Sequence, residues 1–211
     1  MNPAFVEKVI EHDDVHRFKE LLGSKGGVLS VPHTGSWDLG AVGASLFGIS
    51  MFYITRRQKN LLVDNYLNSM RTITGIGVLY RDSPSMLKGV LGNLKKGLVL
   101  AIMPDVRMPT PAYSINFLGG QANLGGGSAM FARQAKVPLF PAALTRIGWA
   151  RHQWQLLEPI YPNPKIEKNE DAQRMMQDML SQFEEIVRSE PEQYFWYNKR
   201  WVLQPLSEDS D

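Results

Sequence analysis

Short apolar runs alternate along this chain with longer segments whose apolar positions recur at helical spacing. In residues 4–27, Phe5, Val9, Val15, Phe18 and Leu22 fall roughly at helical intervals, which predicts a helix closed by its glycines. A buried strand follows in "VLSVP" (28–32), then a helix over 36–48 with Ser36 as its expected N-cap. The rhythm continues with a strand at 50–55, an amphipathic helix at 60–75, a strand at 77–80, a helix at 83–97 with Pro84 in its first turn, and a strand at 98–104. Residues 105–127, rich in Pro and Gly, read as irregular. A helix is predicted at 128–136, an edge strand at 137–148 because of its prolines, a strand at 152–161, and a long amphipathic helix from 169 that stops at Pro191. Alternation of this kind predicts an α/β fold: one domain over residues 1–211, with a largely parallel mixed sheet flanked by helices and a loose tail at 206–211.

Composition narrows the chemistry. The 211 residues are 44% hydrophobic and 21% charged, which suits a globular domain with a sizeable core. There is no cysteine, so disulfides, thiolate metal sites and a thiol nucleophile are excluded together. A formal net charge of +2 gives no basis for nucleic-acid binding, although "TRRQKN" (55–60) and "NLKKG" (93–97) suit anionic lipid headgroups. The N-terminus has neither the apolar length of a membrane span nor the order of a signal peptide, so any membrane contact is expected at the surface.

Candidate chemistry concentrates in "VPHTGSWDLG" (31–40). His33 falls at the carboxyl end of a predicted strand, where α/β sheets bind ligands, and Asp38 falls in the first turn of the next helix. Gly35 permits a turn tight enough for the carboxylate to reach the imidazole and fix its tautomer. Spacing alone also fits a local hydrogen bond or a helix cap, and both readings stand at this level. "HDDVH" (12–16) sets two histidines one turn apart, but a solvated helix face accounts for it better than a metal site. "NLGGGSAMF" (123–131) offers backbone donors at a helix start, a weak anion-binding signal.

Sequence blocks add a resemblance. "HTGSWD" (33–38) resembles the H-x-x-x-x-D signature of the glycerolipid and lysophospholipid acyltransferase superfamily, and "GVLYRD" (77–82), "MPDVR" (103–107) and "VPLFP" (137–141) resemble its further blocks in the same order. "MPD", "FLGG" and "PEQYFWYNKR" are most similar to the lipid A biosynthesis branch, the lauroyl and myristoyl transferases of Gram-negative bacteria, over about Gly27 to Trp201. Ser36 departs from that branch's asparagine, "DVR" replaces a longer third block, and the domain is expected to lack the branch's N-terminal membrane anchor.

The resemblance implies transfer of a fatty acyl chain from an acyl carrier protein or coenzyme A thioester to a hydroxyl of a lipid acceptor, a lipid A precursor first of all. It implies His33 as general base and Asp38 as its partner, with no cofactor, no metal and no covalent acyl-enzyme. Arg81 and Arg107 are the expected phosphate binders, a surface salt bridge being the competing role for Arg107. Asp105 is expected to anchor Arg81 or bind an acceptor hydroxyl, and backbone N–H groups near Gly35 or at a helix start to stabilise the oxyanion. The implied location is peripheral, at the cytoplasmic face of the inner membrane. A lysophospholipid or aminolipid acyltransferase, or a catalytically silent lipid-binding relative, are the alternatives.

Overall fold

Period-two burial along four central strands splits the core into two layers. Val28, Phe52, Leu100 and Leu139 face one way; Leu29, Met51, Ala101 and Phe140 face the other. These residues belong to β2 (Gly27–Ser30), β3 (Met51–Thr55), β5 (Val99–Ile102) and β8 (Leu139–Gly148) of a seven-stranded sheet. With β1 (Ile10–Glu11), β4 (Gly77–Tyr80) and β9 (Arg151–Leu156) the strand order is β1-β9-β8-β2-β5-β3-β4. Only the β8–β9 pair is antiparallel within it. The computed structural model describes residues 3–197 and 202–203; the tail at 206–211 and the Asn198–Trp201 end of the aromatic block lie outside the described residues.

Helices α1 (Pro3–Val9), α2 (Asp13–Leu22) and α3 (Trp37–Leu46) cover one face. Helices α5 (Met86–Lys95), α6 (Gly127–Ala135) and α7 (Lys168–Ser189) cover the other, while α4 (Leu61–Ile73) connects β3 to β4. Among the described residues no helix is long and apolar enough to cross a membrane.

Four local expectations are corrected. The single helix predicted at 4–27 is two helices, because Ile10 and Glu11 extend and pair with the backbone of β9, burying Ile10. The strand at 137–148 is interior: Pro141 sits in register with Ser30, and its carbonyl accepts from Leu157 N–H. Pro84 precedes α5, and Ser85 is its N-cap. Residues 105–127 contain a hairpin, β6 (Tyr113–Phe117) and β7 (Gly120–Leu124), turned through Leu118 and Gly119 at φ 51° and 81°. Its Ile115, Phe117, Ala122 and Leu124 are buried, and Gln177 of α7 exchanges two hydrogen bonds with the backbone of Asn116.

One buried charge ties α7 to α6. Asp171 is fully buried and accepts from Arg133 Nε at 2.9 Å, from Arg174 Nη2 at 2.7 Å and from Asn163 N–H at 2.9 Å. Burial alone would raise its pKa, but the bonds from Arg174, the Asn163 amide and Arg133 outweigh it and hold the carboxyl below the usual carboxylate range. The depressed pKa contributes stability above the unfolded value, and that stability is lost as pH falls through the folded one. Asp171→Asn is expected to lower stability at pH 7 by about 3 kcal/mol, since it breaks a buried ion pair. Urea denaturation across pH 3–7 checks this; the variant's stability should depend less on pH at the acid end.

Candidate active site

The site forms where two adjacent parallel strands end together. Beyond β2 the chain runs through Val31 and Pro32 to His33, and beyond β5 through Met103 and Pro104 to Asp105. The Asp105 carboxylate accepts from His33 twice, from the backbone N–H at 2.7 Å and at Nδ1 at 2.7 Å. That pairing puts the proton on Nδ1 and leaves Nε2 as the acceptor. The carboxylate is 1% exposed and the imidazole 20%, so the ring offers one edge to whatever enters.

The turn after His33 is fixed by backbone bonds. Thr34 N–H donates to Pro32 O at 2.7 Å, Gly35 N–H to Gln193 O at 2.9 Å and Ser36 N–H to Leu144 O at 3.3 Å. Gly35 holds φ at 59°, and a Cβ there would lie 2.0 Å from the Leu144 carbonyl oxygen. Ser36 precedes α3 but makes no side-chain cap. Gly40, one turn in, lets α3 approach β8 so closely that a Cβ would meet Leu144 Cβ at 3.1 Å.

The end of the chain straps this turn. After α7 stops, a 3-10 turn at Pro191–Gln193 brings Tyr194 into a bridge with Thr34, and Phe195 N–H donates to His33 O at 2.8 Å. The Gln193 amide accepts from Arg146 N–H and donates to Arg146 O, at 2.7 and 2.9 Å. Tyr194 is buried beside Asp105; burial first, then the Asp105 charge, push its pKa far above the usual phenol value. Its hydroxyl therefore stays protonated next to the carboxylate that holds His33.

Beside His33 lies a mainly apolar cavity of about 320 Å³ between the sheet and α3, lined by Leu29, Val31, Trp37, Asp38, Gly40, Ala41, Tyr53–Thr55, Ala101–Met103, Leu144 and Trp154. Trp37 presents its ring to His33 edge-on at 5.2 Å between centroids.

Several sequence expectations change here. His33 and Asp38 line one cavity, but among the described residues no hydrogen bond joins them; Asp105, 72 positions away, takes Nδ1 instead. Asp105 is accordingly not the anchor of Arg81, which stands exposed beyond the edge strand β4. Arg107 is 9% exposed, with its backbone bridged to Leu124, and neither arginine lines the cavity. The N–H groups of Thr34, Gly35 and Ser36 are engaged elsewhere, so Gly35 is no oxyanion donor. The α6 start meets β2 through a Ser30–Ser128 hydroxyl bond of 2.8 Å. His12 stacks on Phe47 at 4.2 Å. Sequence reasoning missed Gln193 and Tyr194 as site residues; their signal was a polar and aromatic pair set directly after a helix-stopping proline.

The family of bacterial lipid A biosynthesis acyltransferases matches residues 1–202. This chain belongs to that family. It is an acyltransferase acting on lipid substrates. No curated protein sequence matches it significantly. Among solved structures it is similar to the 1-acyl-sn-glycerophosphate acyltransferase PlsC of Thermotoga maritima, with 14% identity and a TM-score of 0.53 over 89% of this chain and 78% of that one. At that identity the likeness speaks for the fold, an α/β acyltransferase scaffold.

In this acyltransferase Gly35→Ala is expected to cost about 1–3 kcal/mol through backbone strain, with more from the clash at Leu144, and to abolish most activity by displacing His33. Urea denaturation and acyl-transfer rates check both. Tyr194→Phe should keep the fold and lower kcat with little change in KM, because it removes a hydroxyl beside Asp105 without touching the cavity lining; steady-state kinetics separate the two constants.

Proposed function

We propose that this protein transfers a fatty acyl chain from an acyl carrier protein or coenzyme A thioester to a hydroxyl of a lipid A precursor, with His33 as general base. The observation that carries the reading is the His33 Nδ1–Asp105 bond of 2.7 Å beside an apolar cavity. Nδ1–H is committed to a buried carboxylate, so Nε2 is the atom that takes the acceptor's hydroxyl proton as its oxygen attacks the thioester carbonyl. The cavity houses apolar acyl carbons next to that nitrogen.

Asp105 stabilises the positive charge that develops on the ring, the part the resemblance implied for Asp38. Asp38 keeps a proposed catalytic role as the second carboxylate facing the same space. As the tetrahedral intermediate collapses, the imidazolium returns its proton to the departing thiolate. Acyl transfer is then direct, and no acyl-enzyme forms. Thr34, Gly35 and Ser36 being engaged, the first-turn N–H groups of α3, where Trp37 and Asp38 line the cavity, are the backbone donors for the oxyanion. Arg81 and Arg107, which do not line the cavity, serve the acceptor's phosphate from outside it. The reaction takes place peripherally at the cytoplasmic face of the inner membrane.

Acyl transfer from both thioesters to a panel of lipid acceptors tests the reading. Folded His33→Ala should lose about 10²–10⁴-fold in kcat, the usual worth of a general base, and Asp105→Asn should lose more than Asp38→Asn. Full activity in His33→Ala would overturn it.

A further inference from the structure

The first turn of α4 is inside out. Its charged residue Asp64 is 5% exposed, whereas Leu61, Leu62, Val63 and Tyr66 are 67%, 79%, 45% and 64% exposed. The inversion is locked by polar bonds: Asp64 accepts from Gln58 N–H at 2.9 Å, from Asn68 at 3.1 Å and from the Tyr80 hydroxyl at 3.1 Å. Four apolar side chains are thus held toward solvent by a buried carboxylate, at a cost that packing against this domain does not offset.

This turn stands at the carboxyl edge of the sheet, because it follows β3, whose last residues line the cavity. β8 runs parallel to β2, so its hairpin tip reaches the same edge on the other side, with Trp149 94% and Ile147 44% exposed. Between them lies His33, with the exposed Phe195 ring centred 6.5 Å from its own. Cations flank the α4 turn: Arg57 stacks over Tyr80 at 3.9 Å and reaches Asp82 at 3.7 Å, while Arg56, Lys59 and Arg81 form no ion pair among the described residues. Apolar side chains projecting from this edge, rimmed by uncompensated positive charge, match an anionic lipid surface: acyl chains take the former and headgroups the latter.

We propose that this edge seats the protein on an anionic bilayer, with the α4 first turn and the Trp149 hairpin tip entering the headgroup layer on opposite sides of the cavity. The surface serves a lipid acceptor and so rests on that reading. Vesicle binding is measured without any acyl donor, so the two can fail separately.

The full chain would be sedimented with phosphatidylglycerol-containing vesicles and with phosphatidylcholine vesicles. Variants are Leu61→Ser/Leu62→Ser, Trp149→Ser and Arg56→Gln/Lys59→Gln, with Tyr161→Ser as control at the opposite end of the sheet; all these side chains are exposed, and thermal unfolding confirms each fold. The wild type and the control should bind the anionic vesicles, and the leucine and charge variants should each lose about tenfold or more in affinity. Hydrogen exchange over 58–66 and 147–151 should slow on vesicle binding. The proposal is overturned if the wild type ignores anionic vesicles, if the rim variants bind as tightly as the wild type, or if they lose affinity only for acyl carrier protein in a lipid-free assay.

Discussion

Everything at the site depends on one carboxylate that grips a single residue twice. Asp105 holds both the backbone N–H and the ring of His33, so the course of the chain and the orientation of the imidazole are fixed by the same bonds. The grip is possible only because β2 and β5 are neighbours in parallel register, Gly27 opposite Val99 through Ser30 opposite Ile102, which brings residues 72 apart to one point. Charge-assisted bonds of 2.7 Å in a buried setting resist the loosening that a turn of this length would otherwise show. The angle at which α3 leaves the turn, and with it the cavity between α3 and the sheet, follows from that anchor.

The other restraint comes from the far end of the chain. Gln193 binds β8 at Arg146 and receives Gly35, Tyr194 reaches Asp105, and Phe195 takes the His33 carbonyl, so three consecutive residues each hold part of the same turn. They arrive in register because α7 ends where Pro191 removes the next helical donor. The body of α7 is fixed in turn by Asp171 with Arg133 and Arg174, and by the Gln177 bonds to the hairpin. A helix far from the reacting atoms thereby sets where the imidazole stands.

The legible features were those decided by local pattern. Strands such as residues 28–30 and 99–102 are buried on both faces and read as apolar runs, and the long helix before Pro191 repeats its apolar positions without interruption. The hairpin at 113–124 stayed hidden because its glycines and prolines masked the alternation of Ile115, Phe117, Ala122 and Leu124. The partner of His33 was misassigned for a physical reason: Asp38 is close in sequence, but it points from a helix into the cavity, whereas Asp105 is close only after the sheet has formed. The exposed apolar turn of α4 passed for an ordinary amphipathic helix because periodicity shows that a face exists and not which way it turns.

Direction is what the parallel sheet adds to these parts. Because β2, β3, β4, β5 and β8 all run the same way, their carboxyl ends gather His33, Thr55, Arg81, Asp105 and the Trp149 hairpin along one edge. Apolar walls line the cavity below that edge, while the cations Arg56, Lys59 and Arg81 stand along it beside the exposed apolar side chains of the α4 turn. A substrate with a long apolar tail and a charged head meets the same order of environments. The imidazole sits at the boundary between them, 20% exposed, where a bond near the head of such a molecule would lie. A base placed deeper would face only hydrocarbon, and one placed further out would face water. The depth of His33, set by Asp105 and the strap behind it, is therefore the quantity on which the proposed chemistry turns.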